Sequence, residues 1–204
     1  MKKYVVVVIV LVVAVVGIAL WASSIPKSKE VAVNNIMTRT SIRAYQDKPV
    51  DEETLEILLR AAMAAPTARN KQPWKFVVIK DKSMLQQIAD SMSTMKMAAY
   101  APLAIVVCGD LNEALSGEGQ AYWVQDASAA TENLLLAAHA LGLGAVWCGV
   151  YPKSDRVAFI SRLLELPEGV VPLNVIPVGY PAESPAPKDK WKPEKVYYDK
   201  WGQR

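Results

Sequence analysis

Pro102-Leu103-Ala104-Ile105-Val106-Val107-Cys108 carries no charge and no amide side chain. The run is too short for an ordinary helix and shows no polar alternation, so it reads as a strand covered on both faces. Such a strand needs a layer above it and a layer below, and the flanking sequence can supply both. Downstream, Gly119 to Leu141 reads as one long helix whose many alanines permit close helix contact, with Gly142 and Gly144 ending it. Ala145 to Val150 comes next as a strand, Ser154 to Leu164 as a helix, and Pro172 to Val178 as a last core strand. Upstream, Trp74 to Ile79 (WKFVVI) is a short β-rich run and Ser83 to Met92 a helix. Pro49-Val50-Asp51-Glu52-Glu53 opens another helix, with Asp51 as cap and two acids at the positive helix end. Leu55, Leu58, Leu59, Ala62 and Met63 give that helix one apolar stripe, and Pro66 ends it. Helices and strands in alternation imply a layered α/β or α+β domain around a central sheet.

That domain starts near Ile36 and occupies residues 36–204. Residues 25–35 are polar with one proline, Pro26, and read as a short linker. In front of the linker, Met1-Lys2-Lys3 precedes an unbroken apolar run from Tyr4 to Ala22. Val5 to Trp21 as a helix covers about 26 Å at about 1.5 Å per residue, nearly a hydrocarbon core of about 30 Å. Residues 1–24 are therefore expected to form a single-pass membrane anchor, with a cleaved signal segment as the rival reading. The lysines before the run favour, by a small margin, a domain on the extracytoplasmic side.

Net charge is only +3, with the charges scattered, which argues against a nucleic-acid partner. Cys108 and Cys148 are too few for a disulfide framework or a zinc site, and each lies in an apolar run as a buried thiol would. His139 is the only histidine and falls in the long helix, which excludes a histidine metal site and disfavours a Ser-His-Asp or Cys-His pair. Without an acid pair or a phosphate-binding glycine loop, a bound cofactor is the natural candidate for the chemistry.

Three segments can hold one. Thr38-Arg39-Thr40-Ser41-Ile42-Arg43-Ala44-Tyr45 sets two arginines four apart around a hydroxyl pair. On a helical turn Arg39 and Arg43 share a side and, with Ser41, can clamp a phosphate; a solvated basic patch is the plain alternative. Ala65-Pro66-Thr67-Ala68-Arg69-Asn70-Lys71-Gln72-Pro73-Trp74 holds hydroxyl and amide groups in a loop bounded by prolines, suited to the edge of a heterocycle, or else is a structural turn. In Gly142-Leu143-Gly144-Ala145-Val146-Trp147-Cys148-Gly149-Val150, Gly149 lets a planar ligand approach the backbone, unless the stretch is only a helix cap and strand entry.

Taken together and in order, R-x-S-x-R (from Arg39), P-T-x-x-N-x-Q-P-W (from Pro66), L-G-L-G-A-V-W-C-G (from Leu141) and P-V-G-Y-P-A-E (from Pro177) resemble the nitroreductase family over about four-fifths of the chain. The resemblance implies an α+β fold with a central mixed sheet flanked by helices, and a homodimer sharing two FMN sites. By the same resemblance Arg39, Thr40 and Ser41 match positions holding the phosphate and ribityl chain, and Arg43 a basic position near the flavin pyrimidine edge. Pro66, Thr67, Ala68, Asn70 and Gln72 match the loop from the other subunit, and Gly149 the backbone lining the ring. Lys190 stands where a basic residue, often arginine, closes on the phosphate; a lysine offers a point charge without the fork. Thr67-Ala68 replaces the commoner Ser-Ser and lacks one hydroxyl.

The implied activity is ping-pong reduction of nitroaromatics, quinones or similar acceptors, with NAD(P)H or, for an outward-facing domain, a membrane quinol as donor. Tyr100, Tyr122 and Trp123 are candidates for the pocket rim, with packing as their plainer role. Alternatives are a membrane-tethered FMN storage or sensing module and a same-fold enzyme such as a reductive dehalogenase, the latter disfavoured by the short stretch from Gly109 to Gln120.

Overall fold

A computed structural model describes residues 28–203. In chain order these form α1 (Ser28–Thr38), α2 (Glu52–Met63), β1 (Trp74–Ile79), α3 (Lys82–Ser91), β2 (Leu103–Asp110), α4 (Trp123–Ala140), β3 (Gly144–Ala145), β4 (Cys148–Gly149), α5 (Ser154–Leu163) and β5 (Val170–Gly179). The chain divides into two units, Met1–Met37 and Thr38–Arg204. Of the first, only α1 as far as Met37 is described, so residues read as linker are helical from Ser28 onward. The second unit contains the sheet and all the candidate site residues.

The membrane anchor expected over residues 1–24 lies outside the described residues. Among the described residues, no helix is long and apolar enough to cross a membrane. Even α4, eighteen residues long, carries Asp126 and Glu132. The expected transmembrane helix and membrane location are corrected accordingly, and the quinol donor that depended on them is withdrawn.

The sheet runs β1-β2-β5-β3, with β4 also paired to β5, and every one of these pairings is antiparallel. This corrects the mixed sheet. An apolar strand such as β2 reports only that both faces are covered, and helices cover antiparallel strands as readily as parallel ones. Along β2 the side chains alternate between two cores. Leu103, Ile105 and Val107 pack with Leu58, Ala62, Ala130 and Leu134 of α2 and α4. Ala104, Val106 and Cys108 pack with Leu85, Ile88 and Ile160 of α3 and α5. The result is helix, sheet, helix in three layers.

Local signals place several elements. The Thr54 N–H donates to Asp51 at 2.7 Å, capping α2 as its sequence predicts. Leu55, Leu58 and Ala62 are buried, while Met63, at the end of the expected stripe, is exposed. α4 begins later than expected, because Gly117–Tyr122 forms a separate 3-10 turn. Its start is fixed by contact with the sheet: a Cβ on Gly109 would sit 2.3 Å from the Trp123 ring. The strand expected over Ala145–Val150 is two short pieces, β3 and β4, interrupted at Val146-Trp147.

Candidate functional site

The segment after α1 is not a helical turn. The Ile42 N–H donates to Ala145 O at 3.1 Å and the Gln46 N–H to Tyr180 O at 2.8 Å, while Ala44 O accepts from the Ala182 N–H at 2.9 Å. Glu183 accepts from the backbone N–H groups of Arg43 and Ala44. Ile42 is buried between half-buried Ser41 and exposed Arg43. Arg39, Ser41 and Arg43 therefore lie on an irregular segment held by long-range hydrogen bonds, not on a helical turn. The Arg39 guanidinium lies 3.7 Å from Glu132 of α4. Among the described residues the Ser41 hydroxyl makes no hydrogen bond and the Arg43 guanidinium no ion pair.

This segment is docked on the third one. A Cβ on Gly144 would fall 2.5 Å from the Ile42 side chain, so the glycine is what lets the arginine segment lie on β3. Gly142, at φ +73°, closes α4 while the Leu143 N–H reaches Ala138 O at 2.8 Å. Gly149 differs from both: a Cβ there would meet nothing within 4 Å. Its carbonyl accepts from Arg156 Nη1 at 2.8 Å. The site thus has an unpartnered Ser41 hydroxyl and Arg43 guanidinium and a loosely paired Arg39 on a segment docked on β3, with Arg43 bearing on Cys148 next to a glycine that faces open space.

The Pro66–Pro73 loop is ordered by its own polar groups. Thr67 Oγ1 accepts from the Gln72 N–H at 3.0 Å, and Gln72 Nε2 donates to Asn70 Oδ1 at 2.9 Å. Arg69, Asn70 and Gln72 all take left-handed φ near +50°, each strained by roughly 1–2 kcal/mol in a non-glycine residue. A buried carboxylate holds the loop in place: Asp126 of α4 accepts from the Ala68 N–H at 2.8 Å. Loop and helix enclose a cleft of about 690 Å³, lined by Ala68, Arg69, Leu115, Tyr122 and Gln125 among others.

Of the expected residues, the structure brings the segment carrying Arg39, Thr40, Ser41 and Arg43 onto β3, and the Arg43 charge bears on Cys148, next to Gly149 in β4. Among the described residues no hydrogen bond or ion pair joins the Pro66–Pro73 loop to them. Ala68 attaches to Asp126 and Arg39 to Glu132, on different turns of α4 and roughly 9 Å apart along its axis. Lys190 is exposed in the irregular C-terminal stretch, and no hydrogen bond or ion pair links it to Arg39, Ser41 or Arg43. Tyr122 lines the cleft, Tyr100 is exposed, and Trp123 is buried against Gly109 and edge-on to Tyr151, hence a packing residue. His139 binds Thr38, its Nε2 lying 3.0 Å from the hydroxyl oxygen. Asp126, Glu132 and Arg156 are absent from the sequence-derived site; the two acids stand out only as charges in an alanine-rich helix.

Both cysteines are free and buried. Burial pushes the Cys108 thiol up to about 12 and Cys148 to about 11, the latter against the pull of Arg43 and Arg156. At pH 8 a thiol at about 11 is only ~0.1% thiolate. Native protein should therefore leave Ellman's reagent unreacted for hours, and both thiols should react once urea unfolds the chain. Rapid reaction of the native protein would mean that the β4 core is open.

Comparison with known proteins adds to this geometry. The nitroreductase family model matches residues 36–103 and 92–180. A relative from Methanothermobacter thermautotrophicus, provisionally named an NADH dehydrogenase/NAD(P)H nitroreductase, is 47% identical over 85% of this chain and 90% of its own length. A crystal structure from Bacteroides thetaiotaomicron with the same provisional name superposes with a TM-score of 0.79 at 42% identity, covering 83% of this chain and 98% of that one. A provisionally named nitroreductase of Desulfovibrio desulfuricans, solved in complex with FMN, superposes at 0.70 and 30% identity, covering 81% and 94%.

Proposed function

The chain belongs to the nitroreductase family, and from that premise we propose that it is an FMN-dependent oxidoreductase, taking electrons from NAD(P)H and passing them to a small electrophilic acceptor such as a nitroaromatic or a quinone. The observation that carries the reading is the pairing of donors, a Ser41 hydroxyl and an Arg43 guanidinium without partners among the described residues and Arg39 held only at 3.7 Å by Glu132, with Gly149, a glycine that has nothing over it and follows the Cys148 on which Arg43 bears. A flavin nucleotide has a phosphate for the first and a flat ring for the second.

Arg39, Thr40 and Ser41 hold the phosphate and ribityl end. Charge favours this placement: guanidinium forks match phosphate oxygens, and Glu132 at 3.7 Å is a loose enough partner to be supplemented. Arg43 fixes a positive charge at the pyrimidine edge, where it favours the electron-rich form. Gly149 presents bare backbone to the ring. When bound, FMN supplies the redox chemistry, accepting hydride from the donor and returning it to the acceptor after the donor has left.

A second copy of the chain supplies Pro66, Thr67, Ala68, Asn70 and Gln72. Two features support this. In one chain the loop and the arginine segment attach to different turns of α4, and the Asn70–Gln72 amide pair is turned outward, exposed. Lys190 closes on the phosphate only after the C-terminal stretch changes its course.

Purified chain incubated with FMN should be yellow with stoichiometric cofactor. It should oxidise NADH or NADPH at ~1 s⁻¹ or faster in the presence of menadione or a nitrofuran. Yellow protein with no turnover across a panel of donors and acceptors would mark a flavin storage module and sink the enzymatic reading.

A further inference from the structure

Arg156 is the third residue of α5, in the first turn, where the helix dipole disfavours a cation. Among the described residues no carboxylate lies within ion-pair distance of it. A guanidinium set against a helix dipole without an acid is a placement that fold stability alone does not explain. What it does hold is the Gly149 carbonyl, at 2.8 Å. The other end of the same peptide group is also held, since the Val150 N–H donates to Leu173 O at 3.0 Å. The peptide plane after Gly149 therefore cannot rotate, and the open face of the glycine keeps one orientation. Arg156 is not alone beside this strand: its charge and that of Arg43 both favour the thiolate of Cys148, the residue before Gly149. Two cations from opposite ends of the sequence thus bear on one short strand.

We infer that Arg156 is a positioning residue of the flavin site, locking the Gly149 peptide as a rigid platform for the ring and adding a positive field that favours the reduced cofactor. The inference rests on the proposed placement of FMN at Gly149 and assigns a residue to which that reading gave no role. A merely structural arginine, tying a helix to a strand, would be replaceable by any side chain with an N–H of similar reach. A field-setting arginine would not, because a glutamine removes the charge whether or not its shorter side chain still reaches the Gly149 carbonyl, while a lysine keeps it.

The experiment measures FMN affinity in the oxidised and dithionite-reduced states for the full chain and for R156Q and R156K, with thermal unfolding of each apo-protein alongside. R156Q should bind reduced FMN about tenfold less well relative to oxidised FMN than the parent does, a negative shift of midpoint potential. R156K, which keeps the charge, should restore most of that ratio. An R156Q protein of normal stability with the parental ratio would overturn the inference. If R156Q does not fold, R156K decides: a parental ratio supports the proposal, and a ratio lowered tenfold overturns it. The parent is the control for the underlying reading. A parent that takes up no FMN defeats the proposed function, whereas a loaded parent matched by R156Q defeats only the role of Arg156.

Discussion

Replacing Arg39 and Ser41 together by alanine should release FMN while leaving the fold in place. In the proposed site each side chain gives hydrogen bonds to a charged phosphate, worth about 1.5–3 kcal/mol apiece, so their joint loss weakens binding by about 3–6 kcal/mol. That corresponds to a dissociation constant raised ~10²–10⁴-fold, enough for the cofactor to be lost on a desalting column. The fold should not suffer in proportion. Arg39 gives up one contact to Glu132, which is half exposed and left able to take up water. With Glu132 half exposed the ion pair is worth about 1 kcal/mol, and the mostly buried Arg39 stem adds a packing loss of similar size. Ser41 makes no hydrogen bond among the described residues that its removal would break. The apo-variant should therefore unfold within a few degrees of the apo-parent, and titration with FMN followed by flavin fluorescence should give the affinity. A double variant that keeps stoichiometric yellow cofactor would place the phosphate elsewhere and undo the site assignment.

Which residues carry polar chemistry was legible in the sequence, but the helical turn expected for Arg39 and Arg43 was not what formed. Arg39, Ser41 and Arg43 stand out because chemistry-bearing residues cluster in few positions, and that survives any backbone conformation. Their conformation does not survive, because it is set by Ala145, Tyr180 and Glu183, far along the chain. β2 and the Asp51 cap were readable for the opposite reason: an unbroken apolar run and a carboxylate three residues before an N–H are local facts. The Pro66–Pro73 loop falls between. Its boundaries are marked by prolines, but Arg69, Asn70 and Gln72 adopt left-handed backbone with no glycine to announce it. The Asp126 carboxylate that holds the loop is one acid in a helix that otherwise reads as packing surface. Burial on both faces of a strand likewise carries no information about strand direction, which is why a mixed sheet was expected and an antiparallel one is found.

Gly149→Val should abolish FMN binding and leave the apo-protein as stable as the parent or slightly more so. The combination is unusual, since valine for a strand glycine in a packed sheet ordinarily collides with something. Here an added Cβ meets no atom within 4 Å, and Gly149 is not among the glycines with positive φ. The unfolded chain also loses conformational freedom, which favours the folded state by roughly 0.4–1 kcal/mol for a substitution the backbone accepts. The branched side chain then occupies the space that a flat ring would need, and a ring held off the backbone by a methyl group loses its packing along one face. Gly144→Ala supplies the contrast. Its Cβ would lie 2.5–2.9 Å from three atoms of Ile42, including Ile42 Cβ, so the whole arginine segment must move. That overpacking should lower stability by about 1–3 kcal/mol and weaken FMN binding at the same time. Urea unfolding and flavin titration of the two variants separate a glycine that makes room for the chain from one that makes room for a ligand. If Gly149→Val binds FMN as the parent does, the open face of β4 is not where the ring lies, whatever the arginines hold.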